Sequence, residues 1–123
     1  MKNKLYNIDS SGNVHKADRE DLENILKYVN ENLDKNITLV DLYKVFYVNV
    51  QKIEKLFNKY LNVTYKRYVQ NQRFDLAKQY LVSTDLPLKQ IAEKTGYSSI
   101  QSFSKFFKKI SGISPMKFKK ERN

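Results

Sequence analysis

Two segments of this 123-residue chain carry glutamine and lysine at the same spacing. Gln51 and Lys55 lie four residues apart, and Gln101 and Lys105 repeat that arrangement further along the chain. Residues four apart share one face of an α-helix. Glutamine and lysine pair with adenine and guanine edges in the major groove of DNA, where a recognition helix presents its N-terminal residues. These residues are therefore candidates for reading bases.

Apolar residues show which face of each segment turns inward. They fall at helical spacing, namely Ile53, Leu56, Phe57 and Tyr60 in the first segment and Phe103, Phe106, Phe107 and Ile110 in the second. Such stripes pack into a core, which accounts for the aromatic residues better than a ligand pocket does. We expect Gln51, Lys55, Gln101 and Lys105 to point outward, with Glu54 and Ser104 on the flanks. The residues that we predict to read bases are Gln51, Glu54, Lys55, Ile100, Gln101, Ser104 and Lys105.

Other residues of these faces suit particular contacts. Ile100 is a candidate contact for a thymine methyl group, and Glu54 fits the set if its carboxylate accepts from a cytosine amino group. A solvent-exposed helix acid is the alternative for Glu54, because phosphates repel a carboxylate. Contacts to DNA phosphates are predicted for six basic residues: Lys59, Arg67, Lys108, Lys109, Lys117 and Lys119. Such contacts give affinity rather than sequence information, and a solvated surface role is the alternative for each.

Basic residues are concentrated in the second part of the chain. The 23 lysines and arginines outnumber 13 acidic residues, which gives a net charge of +10. Positions 50–123 hold 16 of the basic and 5 of the acidic residues, which indicates a surface that faces a polyanion. The absence of cysteine excludes disulfides and thiol catalysis, and no apolar stretch reaches the roughly 20 residues of a membrane span. We expect a cytoplasmic protein without cofactor or metal.

Capping and breaking residues divide the chain into about seven helices. Helix starts are predicted at Asp18, Thr38, Asn49, the Asp85-Leu86-Pro87 segment, Ser98 or Ser99, and Ser114, and helix ends at Asn62, Gly96 and Gly112. A long helix from about Tyr65 to Val82 is apolar over more than one face and is expected to be central. No strand-like alternation persists, so the predicted fold class is all-α.

The helices form two similar groups. A shift of 50 places Ile53 on Phe103, and a shift of 49 places Leu42 on Ile91, so the second turn is one residue longer. Each group is a short helix, a tight turn and a longer helix, which is the helix-turn-helix pattern. A plain helical bundle is the alternative. The predicted organisation is a polar arm or linker at 1–17, a first unit at 18–64, a linker helix at 65–83 and a second unit at 84–123.

The second unit resembles the DNA-binding domain of the AraC/XylS transcription regulators. The residues that carry the resemblance are Ile91–Ser99, Phe103–Lys109 and Gly112–Pro115, and the segment Arg73–Leu81 resembles the family's linker helix. The resemblance covers residues 22–122. It implies two tandem helix-turn-helix units and sequence-specific binding of double-stranded DNA to regulate transcription in a bacterium. The base-reading residues predicted above match the family's base-facing positions.

The first unit departs from the family pattern at two places. Tyr43 stands where the family has alanine, so we expect its ring to lie where two helices approach each other. Asn62 replaces the usual glycine. Both departures concern how the first unit docks.

The resemblance also implies partners. Two units joined by one helix suggest binding to adjacent major-groove segments, ~34 Å apart along the DNA. RNA polymerase is a further candidate partner. Family members often carry a separate effector or dimerisation domain, and none is visible in this chain, so we expect either a fragment of a longer regulator or a stand-alone short regulator. We expect no enzymatic activity, because the chain has one histidine and no glycine-rich phosphate loop.

The main alternative to a DNA-binding domain is a helical protein-interaction module or a basic membrane-surface binder. The operator and the sign of regulation stay open.

Overall fold

The computed structural model describes residues 13–122, with side chains from residue 16 onward. Its helices are α1 (Asn13–Asn30), α2 (Leu39–Phe46), α3 (Val50–Leu56), α4 (Tyr65–Ser83), α5 (Leu88–Lys94), α6 (Ile100–Ser111) and α7 (Pro115–Arg122). A π-helical segment, Phe57–Leu61, continues α3. The described residues contain no strand, and the all-α prediction is confirmed.

The chain folds as two compact units. The first comprises Ile37–Arg67 together with the described residues up to Glu31, and the second comprises Asn32–Asn36 and the residues from Tyr68 onward. Most of the predicted linker helix, α4, therefore belongs to the second unit. The short segment Asn32–Asn36 also belongs there, although it precedes the first helix-turn-helix pair in sequence.

Helix α1 begins earlier than the sequence pattern predicts. Asp18 is not its N-cap, because the helix already runs from Asn13. The Asp18 carboxylate instead forms an ion pair with Lys52 of α3, with 3.1 Å between Oδ1 and Nζ. The apolar stripe starts at Leu22, and it marks where the helix packs rather than where it begins. Of the predicted arm, residues 13–17 are thus helical, and residues 1–12 lie outside the described residues.

Helix α2 starts at the predicted cap. The Thr38 hydroxyl oxygen accepts a hydrogen bond from the Asp41 amide at 3.1 Å, and the Asp41 carboxylate accepts one from the Thr38 amide at 2.9 Å. This reciprocal capping box lowers the pKa of Asp41, first through the backbone hydrogen bond from Thr38 and then through its side chain. Leu42 is fully buried on the inner face.

Tyr43 does not occupy the position that the sequence predicts. Its side chain is 48% exposed, so the ring lies at the surface of α2 rather than between two helices. Ala92, the matching residue of the second unit, is 1% exposed. The first unit therefore accommodates the larger residue by turning it outward, and the predicted obstacle to helix approach is wrong.

Helix α3 begins at the predicted cap and ends differently from the prediction. The Asn49 side chain accepts a hydrogen bond from the Gln51 amide at 2.8 Å. The last turn, Phe57–Leu61, is π-helical rather than α-helical, and a π turn contains an extra residue. Phe57 stays fully buried and its ring meets that of Tyr65 edge-on at 5.4 Å. Asn62 ends the segment in the left-handed conformation, as predicted.

The second unit has its own apolar core. The buried residues come from α4 to α7 and are Ala77, Leu81, Ile91, Ala92, Phe103, Phe107 and Phe118. Helix α5 begins at Leu88, and Pro87 is its N-cap rather than a residue of its first turn, because its ψ of 149° is extended. Ser99 caps α6, and Gly112 ends it in the left-handed conformation.

Arg73 of α4 ties the segment Asn32–Asn36 to the second unit. Its Nε donates to the Leu33 carbonyl at 3.0 Å and its Nη2 to the Lys35 carbonyl at 2.9 Å. The guanidinium also lies over the Tyr97 ring, 5.4 Å from the centroid. Partial burial raises the pKa of Tyr97, and the nearby arginine opposes that shift. The arginine of the family-like linker motif is thus a packing residue here.

Candidate nucleic-acid interface

The predicted base-reading residues of α3 lie on its outer face. Gln51 is the second residue of the helix and Lys55 the sixth, and both are exposed, as is Glu54. Ile53, between them, is completely buried. The Asn49 side chain caps the first turn of α3, and all three predicted side chains are exposed to solvent.

Helix α6 repeats this arrangement. Gln101 is again the second residue and Lys105 the sixth, both exposed, whereas the fourth residue, Phe103, is completely buried. Ser104 is partly buried, and Ile100 is 37% exposed at the first position of the helix. The Ser99 hydroxyl oxygen accepts from the Ser102 amide at 3.1 Å and fixes this first turn.

Four of the predicted phosphate contacts are exposed side chains: Arg67, Lys108, Lys109 and Lys117. The ammonium of Lys59 lies 5.3 Å from the centroid of the Tyr60 ring, and its side chain is also exposed. These five basic side chains lie at the protein surface.

Lys119 has a different environment from the other predicted phosphate contacts. Its ammonium donates to the Leu81 carbonyl at 3.3 Å and to the Thr84 carbonyl at 3.0 Å. A cation at this place completes the hydrogen bonds of the α4 C-terminus. The structure therefore gives Lys119 a packing role that the sequence did not predict.

Sequence reasoning missed two residues near these faces. Lys52 lies on α3, and its charge is neutralised by the ion pair with Asp18. The sequence pattern did not predict this pair, because it took Asp18 as the N-cap of α1 rather than as a residue within that helix. Tyr47, in the turn before α3, is 78% exposed and has a φ of 56°. The repeat carried a signal for it, because a shift of 49 places Tyr47 on Gly96.

Comparison with protein families decides which kind of domain this is. A family model described as a helix-turn-helix domain matches residues 42–121, which extend from within α2 to within α7. The chain belongs to the AraC/XylS helix-turn-helix family. The family predicted from the sequence is confirmed, and with it the class of DNA-binding domains that regulate transcription.

Individual relatives agree with this family. The chain is 33% identical over 103 residues, 84% of its length, to a Photobacterium leiognathi protein named "Probable transcriptional regulator LumQ". It is 28% identical over 107 residues, 87% of its length, to the Bacillus subtilis "Bifunctional transcriptional activator/DNA repair enzyme AdaA". The chain spans 42% of the length of LumQ and 51% of that of AdaA.

Solved structures share the fold. The C-terminal domain of AraT, a response regulator from Geobacillus stearothermophilus, superimposes with a TM-score of 0.78 at 25% identity, covering 83% of this chain and 85% of that one. The DNA-binding domain of AdpA, a global transcriptional factor solved in complex with a target DNA, gives a TM-score of 0.75 at 18% identity. That match covers 82% of this chain and 91% of the AdpA domain, and it concerns the fold alone.

Proposed function

We propose that this chain binds double-stranded DNA sequence-specifically, with α3 and α6 each entering a major-groove segment. One observation carries the proposal, namely that both helices expose glutamine at their second position and lysine at their sixth, around a buried fourth residue. Two recognition surfaces with the same layout are suited to two half-sites on one DNA. The half-sites are expected about one helical turn apart.

The proposed base contacts follow from the chemistry of each side chain. Gln51 and Gln101 hydrogen-bond adenine, and Lys55 and Lys105 hydrogen-bond guanine, each pair of bonds being worth about 1–3 kcal/mol of discrimination. Ser104 is compatible with several bases. The remaining two members of the predicted set are Glu54, toward a cytosine amino group, and Ile100, toward a thymine methyl group.

The proposed phosphate contacts are the exposed basic side chains: Lys59, Arg67, Lys108, Lys109 and Lys117. They neutralise phosphates and set the register of the helices without reading sequence. Lys119 was predicted among them, and its bonds to the α4 C-terminus make it the weakest member of that set.

The wider biology extends the same proposal. We infer a cytoplasmic regulator of transcription that contacts RNA polymerase. None of the helices within residues 13–122 has the length and hydropathy needed to cross a bilayer. That the chain has no catalysis of its own remains a prediction.

Selection of bound sequences from a random duplex library, followed by titration of the selected duplex at two salt concentrations, tests the proposal. We expect enrichment of a bipartite motif with half-sites about one turn apart. Binding to anionic liposomes without any enriched duplex would instead support the membrane-surface alternative, and binding to neither would support a protein-interaction module.

Substitution of the two glutamines tests the roles of the helices. Gln51→Ala and Gln101→Ala should each weaken binding by about 1–3 kcal/mol and relax specificity at one base position, in different half-sites. Gln79→Ala is the matched control, because Gln79 is an exposed glutamine on α4. Equal losses on every duplex, specific or not, would remove the glutamines from the base-reading set.

A further inference from the structure

Tyr47, in the turn between α2 and α3, has a backbone conformation that is rare for its residue type. Its φ of 56° and ψ of 31° are left-handed, a region in which a bulky side chain is sterically disfavoured. The ring is 78% exposed, so burial does not compensate for the strain. The left-handed conformation ends α2, of which Tyr47 is the C-cap, but this backbone requirement does not explain why the residue is a tyrosine with an exposed ring.

The second unit has glycine at the corresponding place. Gly96 has a φ of 92°, and a Cβ there would lie 2.5 Å from the Arg73 Cζ and 2.7 Å from the Leu33 carbonyl oxygen. A side chain fits that turn only if these neighbours shift. The first unit holds an exposed phenol where the second has glycine, so the two repeats present different chemistry immediately before their recognition helices.

The backbone around Tyr47 is held on both sides. Its amide donates to the Tyr43 carbonyl at 2.7 Å, and the next residue, Val48, is 3% exposed. Asn49 then caps α3 through the Gln51 amide. Tyr47 is thus fixed four residues before the first proposed base contact. If α3 places its N-terminal residues in the groove, the turn before it lies beside the sugar–phosphate backbone at the groove edge.

We propose, on the basis of the proposed function, that the Tyr47 hydroxyl donates a hydrogen bond to a DNA phosphate at the edge of the groove that α3 enters. Tyrosine is among the side chains that make such contacts, which fix register rather than read sequence. A hydrogen bond to a charged acceptor is stronger than one between neutral groups. The first unit therefore has an anchoring contact that the second lacks.

Two substitutions at Tyr47 separate the hydroxyl from the backbone conformation. Tyr47→Phe keeps the ring and the strain, whereas Tyr47→Asn removes the ring and leaves a residue that tolerates the left-handed region. On the duplex selected by the unaltered chain, both variants should lose about ten- to a hundredfold in affinity, as expected for one bond to a charged group. Tyr47→Phe should leave the Tm unchanged. Asn62→Gly is the control, because Asn62 is the other non-glycine residue with positive φ among the described residues, and it should not alter affinity.

A scan of single methylphosphonate replacements along the first half-site identifies the phosphate. One replacement should weaken binding of the unaltered chain and have no further effect on Tyr47→Phe, because the two changes remove the same bond. Unaltered affinity of Tyr47→Phe, or losses that add at every phosphate, would overturn the Tyr47 contact alone. Failure of the unaltered chain to prefer any duplex would overturn the proposed function itself.

Discussion

Gly96 and Gly112 have similar backbone conformations in very different surroundings. Their φ values are 92° and 86°, both left-handed. A Cβ at Gly96 would meet the Arg73 guanidinium and the Leu33 carbonyl, whereas a Cβ at Gly112 would have nothing within 4 Å. The two positions therefore share a conformational requirement and differ in available space.

Alanine substitution should separate these two costs. Gly112→Ala should destabilise the chain by about 1 kcal/mol, the cost of a side chain in the left-handed region. Gly96→Ala should add a further cost of about 1–3 kcal/mol, because the Arg73 contacts must be displaced. Urea unfolding of both variants measures the difference. Equal losses would show that the turn around Gly96 relaxes without cost.

The Asp41 carboxyl makes the stability of the α2 N-terminus depend on pH. The pKa of its carboxyl lies below the ordinary value of 3.8, chiefly because the Thr38 amide donates to it. A lowered folded-state pKa contributes stability at pH values above the unfolded-state pKa, and this contribution is lost as the pH falls through the folded-state value.

Asp41→Ala should therefore be less stable than the unaltered chain at pH 6, and the difference should shrink below about pH 4. Urea unfolding across that pH range measures it. Asp85→Ala is a control on an exposed aspartate outside the helices, and its effect should vary less with pH. A difference for Asp41→Ala that is constant from pH 6 to pH 3 would show that the carboxylate charge does not stabilise the cap.

At the scale of elements, α7 completes the end of α4. Lys119 of α7 donates to the Leu81 and Thr84 carbonyls, and Phe118 packs against Phe107 with 5.4 Å between ring centroids. Carbonyls at a helix C-terminus have no partner within the helix. The last helix is thus bound to the core of the second unit by both an apolar and a polar contact.

Lys119→Met should lower the free energy of unfolding by about 1 kcal/mol, because the α4 carbonyls lose a charged donor. Its effect on DNA affinity should be small. Lys117→Met is the matched control on the same helix, and it should reduce affinity while leaving stability within about 0.5 kcal/mol. Thermal unfolding and DNA titration of both variants measure these effects. A loss of stability in Lys117→Met together with a loss of affinity in Lys119→Met would contradict this division of roles.

Local chemistry made most element boundaries predictable. Thr38, Asn49 and Ser99 cap helices as predicted, because a capping side chain bonds to an amide two or three residues away. Gly112 and Asn62 ended helices for an equally local reason.

The features that the sequence did not predict depend on packing between distant residues. The start of α1 precedes its apolar stripe, and the turn after α3 is π-helical with Phe57 buried. The outward position of Tyr43 and the bonds of Lys119 depend on neighbours that single-sequence periodicity does not identify. The exposure of the glutamines and lysines of the candidate interface was predictable. The apolar residues of the same helices must face the core, so the polar residues on the opposite face must point toward solvent.

At the scale of the whole molecule, the net charge of +10 is concentrated after residue 49. An exposed basic surface should make DNA binding strongly dependent on salt, because each neutralised phosphate releases counterions. If five side chains each neutralise one phosphate, the slope of log affinity against log salt is about −4.5.

Lys109→Gln should make this slope less negative by about 0.9. The measurement is a titration of the selected duplex at several salt concentrations. Lys35→Gln is the control, because Lys35 is exposed within the first, nearly neutral stretch and its ammonium is 3.8 Å from the Asp34 carboxylate. An unchanged slope for Lys109→Gln would remove Lys109 from the proposed phosphate contacts.

The placement of Asn32–Asn36 in the second unit limits how this domain can be recombined in evolution or by design. A cassette beginning at α4 would contain the whole second helix pair, yet it would lack the Leu33 and Lys35 carbonyls that receive Arg73. The guanidinium beside Gly96 would then need new acceptors from whatever host received the cassette. The repeat visible in the sequence is therefore not a transferable unit, and swapping or duplicating halves of the chain must carry a piece of its first third along.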